Sequence, residues 1–255
     1  MGSKQARGQL ERSDLHLTSH KEETVMGSKQ ARGQVMRGMG LVLVMLVGLG
    51  GVLLSGAGSA QALTLVNPAG GCPKTLNTPG EEYILTGDLA CSGVVNGVNI
   101  TASGVIFHLA GHTISNDATC GALSNQASSG IFVQSGLSKV HIDGGTVSGF
   151  NDGILLSSSF SRVRGMTVTD TCVFGILVQG DKNQVDTNVV TASKIDGIAL
   201  VPASNAVITS NDTSGNVRAG ISLSDFAANN TITNNITHGS LKLRGGFEKC
   251  KLKRR

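Results

Sequence analysis

A glycine followed by Ile, any residue, and then Leu or Val returns along the chain at Gly130, Gly153, Gly175, Gly197 and Gly220, with Val taking the last place in two of the five and spacings of 22 or 23 residues. Each glycine opens a strand-like pair: Ile131/Val133, Ile154/Leu156, Ile176/Val178, Ile198/Leu200 and Ile221/Leu223. Alternation of this kind turns one side of a strand inward. A second apolar position follows in each period, read at Val140, Val163, Val185, Val207 and Ile232. A third follows near Val147, Val168, Val189, Thr213 and Ile236. The stretch 97–116 repeats the order with Val98/Ile100, Val105/Phe107/Leu109 and Ile114. A period in this range marks a solenoid, because one repeat cannot bury its apolar face alone and neighbours must stack. Three short strands per period, with no helical stretch, predict an all-β parallel solenoid of about six coils of 22–23 residues. At roughly 4.8 Å per strand the stack would be on the order of 30 Å long.

Composition agrees with this. The chain has 35 Gly, 7 Phe, 1 Tyr and no Trp, too few aromatics for an ordinary bundle or α/β enzyme. Val, Ile and Thr favour strands, and Gly with Asn favours tight turns. Charge is uneven. Residues 63–241 hold 7 basic and 12 acidic side chains, whereas residues 242–255 hold 7 basic and 1 acidic. The acidic body offers no surface suited to a phosphate backbone, so no nucleic acid is expected as a partner.

The segment 36–62 reads as a signal peptide: Arg37, an apolar run from Leu41 to Leu54, then Ala60-Gln61-Ala62. The run is too short and too broken by glycine to span a bilayer. A cut after Ala62, a secreted or periplasmic location and no transmembrane segment in the mature chain are expected. Upstream, MGSKQARGQ occurs at 1–9 and again at 26–34. This reads as a local duplication or as a start placed ahead of a true one at Met26 or Met36, and residues 1–35 are set aside as a non-structural extension. Export permits disulfides. Cys72 and Cys91 are the first candidate pair, Cys120 and Cys172 a weaker one, and Cys250 is left over. No Cys or His spacing suggests a metal site.

Residues 63–96 are read as an N-terminal cap, 97–240 as the repeats and 241–255 as a basic, disordered tail. The period breaks after Gly239 without the polar last coil a solenoid needs. That break reads as a chain cut short from a longer family. Two residues before the second apolar position stand Ser138, Ser161, Asn183, Asn205 and Asn230, a column suited to a stacked hydrogen-bonding ladder.

These features together resemble the right-handed parallel β-helix repeat proteins, of pectate-lyase-like and NosD-type architecture. The resemblance rests on the Gly-Ile-x-[Leu/Val] starts, the Ser/Asn column, and the opening segments YILTGDLACSG (Tyr83–Gly93) and VIFHLAGHTIS (Val105–Ser115), and covers about residues 72–240. It implies a right-handed, single-stranded parallel β-helix. That architecture hosts lyases, hydrolases, adhesins and non-catalytic binders, so function must come from the site. Family lyases remove a proton α to a uronate carboxylate with a basic residue, usually beside calcium, and family hydrolases use clustered aspartates. Neither set maps onto this chain residue by residue. Calcium would be a cofactor only for a lyase; otherwise none is expected. Copper handling of the NosD kind would want Met, Cys or several His together, and the mature body has Met166 alone.

The candidate binding face lies on the second strand. His108, His141, Arg164 and Asp186 are read as one outward column, flanked by Lys139, Arg162, Asp143, Gln184 and Asn188. Arg and Lys suit an acidic sugar, and His suits proton transfer. Asp152 and Asp196, each just before a repeat glycine, are read as turn residues. Phe132, Leu155, Leu177 and Ala199 form an outward apolar row that needs a cover. The leading expectation is a non-catalytic carbohydrate-binding or surface protein whose partner is a polysaccharide or cell-surface glycan. A polysaccharide lyase or glycoside hydrolase, and a structural or adhesin-like protein, are the alternatives.

Overall fold

The computed structural model describes residues 63–117, 120, 128–224 and 226–237, and the backbone of 241–243 and 251–253. The signal-peptide segment, residues 1–35 and Cys250 lie outside the described residues. The chain is a parallel β-solenoid of about seven turns, close to the six read from the sequence. The first sheet stacks Lys74–Leu76, Val98–Ile100, Ser129–Val133, Asp152–Leu156, Phe174–Val178, Asp196–Leu200, Ala219–Leu223 and Leu241–Leu243, all in parallel. The second stacks Leu63–Val66, Glu82–Leu85, Ile106–His108, the starts of His141–Ser148 and Arg162–Thr169, then Gln184–Asp186, Val207–Thr209, Thr231–Thr233 and Lys251–Lys253. A third face takes Leu89–Cys91, Thr113–Asn116, the ends of the two eight-residue strands, and Val189–Thr191. Residues 63–96 thus carry strands of all three faces. In segment 241–255 the alternations Leu241-Lys242-Leu243 and Lys251-Leu252-Lys253 carry strand backbone.

The repeat glycine has a packing cause. Its α-carbon faces inward where the first strand meets the third face. A Cβ on Gly175 would lie 2.2 Å from Val190 Cγ1 and 2.6 Å from the carbonyl oxygen of Gly197. Gly130 and Gly153 meet the same obstruction, at 2.2 Å from Val147 and 2.3 Å from Val168. Only a residue without a side chain lets the turns close this tightly. Beyond each glycine the apolar pairs point into the core, and Ile131, Ile154, Ile176, Ile198 and Ile221 are all fully buried.

The sequence register slips in the other strands. The inward residues of the second sheet are Phe107, Ile142, Val163, Val185, Ile208 and Ile232. Val140 precedes that position by two residues and Val207 by one, because two corners are longer than the average period. Likewise Val190 and Thr213 face inward on the third face, while Val189 and Ile236 are 43% and 52% exposed. Cys72 is bonded to Cys91, and Cys120 to Cys172.

Buried amides and hydroxyls link successive turns. Asn183 accepts from the N–H of Ser161 and donates to the carbonyls of Ser158 and Gly180. Asn230 accepts from the N–H of Ala206, and Ser161 Oγ from that of Val140. Ser161, Asn183 and Asn230 therefore stand in one column, but Ser138 and Asn205 do not: the column positions in their turns are Val140 and Ala206. A second ladder, invisible to the sequence reading, joins Asn188, Asn211 and Asn235. Each donates its amide to the next, at 2.9 Å, and the N–H groups of Met166, Asn188 and Asn211 are accepted in turn. Asn188 was expected on the outward face; it is 1% exposed.

Candidate functional site

Alternation on the second sheet leaves two outward columns. One runs Ile106, His141, Arg162, Gln184, Val207, Thr231. The other runs Ile84, His108, Asp143, Arg164, Asp186, Thr209. The structure therefore brings His108, Arg164 and Asp186 into one column, with Asp143 between His108 and Arg164. His141 belongs to the other column, beside Arg162. The sequence misplaces it because Val140, an apolar residue at the average spacing, stands two residues before the inward Ile142. Lys139 is not on the strand at all; it sits at the corner before it, exposed, with φ of 60°.

Charge on this face is largely paired. Arg162 grips Asp186 with both arms, Nε to Oδ1 at 2.7 Å and Nη2 to Oδ2 at 2.8 Å. These hydrogen bonds hold the Arg162 pKa above its ordinary value. His108 lies between two carboxylates, with Nδ1 2.7 Å from Asp143 Oδ1 and Nε2 3.1 Å from Glu82 Oε1. Since Glu82, His108 and Asp143 lie on successive turns, the contact clasps three of them together. His141, Arg164 and Lys139 have no ion pair among the described residues.

A shallow hollow of about 230 Å³ opens beside the first column, lined by His141, Phe160, Ser161, Arg162, Lys182 and Gln184. Phe160 is 54% exposed, and Lys182 Nζ lies 4.8 Å from its ring centre. The sequence reading missed both residues. Their signal was faint: an aromatic at a corner where the other turns carry Lys139, Asn205 and Asn229. A ring face, two cationic groups and an amide converging on one hollow can hold a polar ring compound with apolar faces.

The first sheet carries a different set. Asp152 and Asp196 open buried strands and are not turn residues. Asp152 accepts the N–H of Phe174 at 3.3 Å, and burial pushes its carboxyl up to about 6. Asp196 is fully buried and held by Arg218 through both guanidinium arms, with Ser222 Oγ also donating to it. Of the apolar row, Phe132 and Leu155 are half-buried, and Leu177 and Ala199 are buried. His112 lies at a turn, its Nδ1 3.5 Å from Asp88.

The family model for "Periplasmic copper-binding protein (NosD)" matches residues 78–242. The chain belongs to the NosD family. That is a periplasmic β-helix family, and no helix among the described residues is long and apolar enough to cross a membrane. The donors do not fit the copper ion of the NosD family's description. Met166 is in the core, Cys72, Cys91, Cys120 and Cys172 are in disulfides, and both ring nitrogens of His108 are engaged. Among the described residues no group of three or more His, Cys, Asp or Glu is placed to hold a metal ion. None of the curated proteins compared matches the sequence significantly. Among solved structures, the Dettilon tailspike protein is similar at 17% identity and a TM-score of 0.56, over 73% of this chain and 39% of that one. Pectate lyase Pel9A is similar at 14% identity and a TM-score of 0.51, over 69% of this chain and 52% of that one. These likenesses concern the fold, and the NosD-family chain spans about half or less of either structure.

Proposed function

We propose that this protein is an exported NosD-family solenoid that binds a polysaccharide or cell-surface glycan without cleaving it, through the outward face of the second sheet. Residues 36–62 direct export and are removed after Ala62. The observation that carries the reading is the hollow formed by Phe160, Lys182, His141, Arg162 and Gln184 on a rigid stack of turns. Sites built on such elements need little ordering on binding. Structural likeness to a tailspike and a pectate lyase supports a glycan as the class of ligand. The state of the carboxylates on this face supports binding over hydrolysis. On this face, among the described residues, Asp186 is tied to Arg162, and Asp143 and Glu82 are tied to His108, which leaves no free carboxylate pair to serve as a hydrolase's acid and base. The apolar row that would serve self-association is buried or half-buried along its length, which weighs against the adhesin-like alternative.

Affinity electrophoresis of the folded protein against acidic and neutral polysaccharides, with and without calcium, tests this. Retardation by at least one polymer is expected, weakened by Arg164→Ala and His141→Ala. Release of reducing ends or unsaturated products would overturn it and make the same face the active site of a lyase or hydrolase.

A further inference from the structure

The corner between the first and second sheets has one backbone conformation in five successive turns. Lys139, Phe160, Lys182, Asn205 and Asn229 have φ values of 60°, 55°, 58°, 58° and 57°. Stacking imposes it. The N–H of each of the first four donates to a carbonyl of the next turn: Lys139 to Ser159, Phe160 to Asp181, Lys182 to Ser204 and Asn205 to Ala228. The result is a straight ridge of exposed side chains parallel to the solenoid axis. Asn tolerates this left-handed region, whereas a bulky aromatic is disfavoured there. Phe160 gains little in exchange from burial, being 54% exposed. Lys182 Nζ lies 4.8 Å from the ring centre, but neither local preference nor burial accounts for an aromatic at this place. A ligand stacking on its ring would. Lysines flank it on both sides, Lys139 on the preceding turn and Lys182 on the following one. The two turns between them put the lysine backbones on the order of 10 Å apart. His141 and the side of Arg162 not taken by Asp186 border the same hollow. The two lysines stand on a body that is acidic over residues 63–241, with 7 basic and 12 acidic side chains.

We propose that the Lys139–Phe160–Lys182 ridge is a subsite for an anionic glycan lying along the solenoid axis, with one sugar ring stacked on Phe160 and its acidic groups on the two lysines. The ridge has this role only if the second-sheet face binds glycan as set out above. Phe160 then sets ring stacking and the lysines set the preference for charge.

The experiment is a calorimetric titration of the folded exported chain with oligogalacturonates of increasing length, their methyl-esterified counterparts, a neutral galactan and duplex DNA. Wild type should prefer the free acid over the ester, with affinity rising from the monomer to the trimer. Phe160→Asn should lower affinity about tenfold, the size of one lost stacking contact, while the melting temperature stays equal or rises, because Asn is at home in this conformation. Lys139→Gln with Lys182→Gln, two exposed changes, should abolish the preference for acid over ester. Equal affinity for acid and ester, wild-type binding by Phe160→Asn, or equal binding of DNA would each overturn the ridge. Binding of the neutral galactan alone would sink the ridge and leave the glycan-binding reading standing. Binding of no glycan by folded protein would sink both.

Discussion

Single residues show where this chain departs from what its stack requires. Asp152 is one. Its carboxyl is buried, with one backbone N–H for company, and its pKa rises to about 6. A carboxyl whose pKa is higher folded than unfolded holds its proton more tightly in the folded state, so acid stabilises it. The gain is absent above about pH 7 and builds as pH falls from about 6 towards 3.8. Asp152→Asn keeps the acceptor for Phe174 and removes the buried charge. It should raise stability at pH 7 by about 2 kcal/mol and flatten this part of the pH profile, as urea unfolding at several pH values would show. Asn211 is the opposite case. Its amide makes four hydrogen bonds to three neighbours, Val185, Asn188 and Asn235, so Asn211→Ala should cost about 3 kcal/mol by leaving buried N–H groups unpaired. A urea midpoint unchanged in that variant would deny the ladder its structural weight. The sequence could not distinguish these residues, because an Asp before Gly and an Asn between Ser and Asp are equally ordinary in a turn. Burial decides, and burial depends on register.

At the level of the strand, the first sheet is legible from Val98 to Leu223 but not at its end strands Lys74–Leu76 and Leu241–Leu243, and the second sheet only partly. Glycine marks the first strand because a Cβ would strike a neighbouring side chain, a valine at Gly130, Gly153 and Gly175, Asn216 at Gly197 and Thr213 at Gly220, so the marker and the geometry are one fact. Gly175→Ala should therefore destabilise by roughly 2–3 kcal/mol, read as a lower melting temperature, whereas alanine at exposed Gly136, with nothing within 4 Å but φ of 81°, should cost only the roughly 1 kcal/mol of a left-handed backbone. The second strand has no such marker. Its position must be counted across corners whose lengths differ by one or two residues, and a one-residue slip turns a side chain to the opposite face. That is how Val207 came to stand for Ile208, Asn205 for Ala206, and how His141 was placed in the column of His108. The charged face was thus found in the right sheet with its columns mixed. Phe160 was missed because a corner residue gives no periodic signal.

For the whole molecule, stability is spread along one dimension, and each turn depends on its neighbours. The ends are where such a stack opens first. The bridge from Cys72 to Cys91 ties the first turn, and its loop of 19 residues should contribute about 3 kcal/mol. Cys72→Ser with Cys91→Ser should expose residues 63–96 to proteolysis before the central turns, as limited digestion would reveal. Family membership was legible from period and glycine, because those same features build the stack. The proposed glycan role stood in the sequence only as one expectation among three, because the NosD family's architecture is shared by proteins of different chemistry and the hollow proposed to bind the glycan depends on corner geometry. The most direct test of that role follows the ligand and not the protein. Folded protein is added to a short oligogalacturonate and the anomeric proton spectrum of the sugar is recorded over a day. The account predicts broadened, shifted signals with no new reducing-end or unsaturated resonances. New resonances of either kind, or spectra unchanged at every protein concentration for this sugar and for a neutral galactan fragment alike, would contradict it.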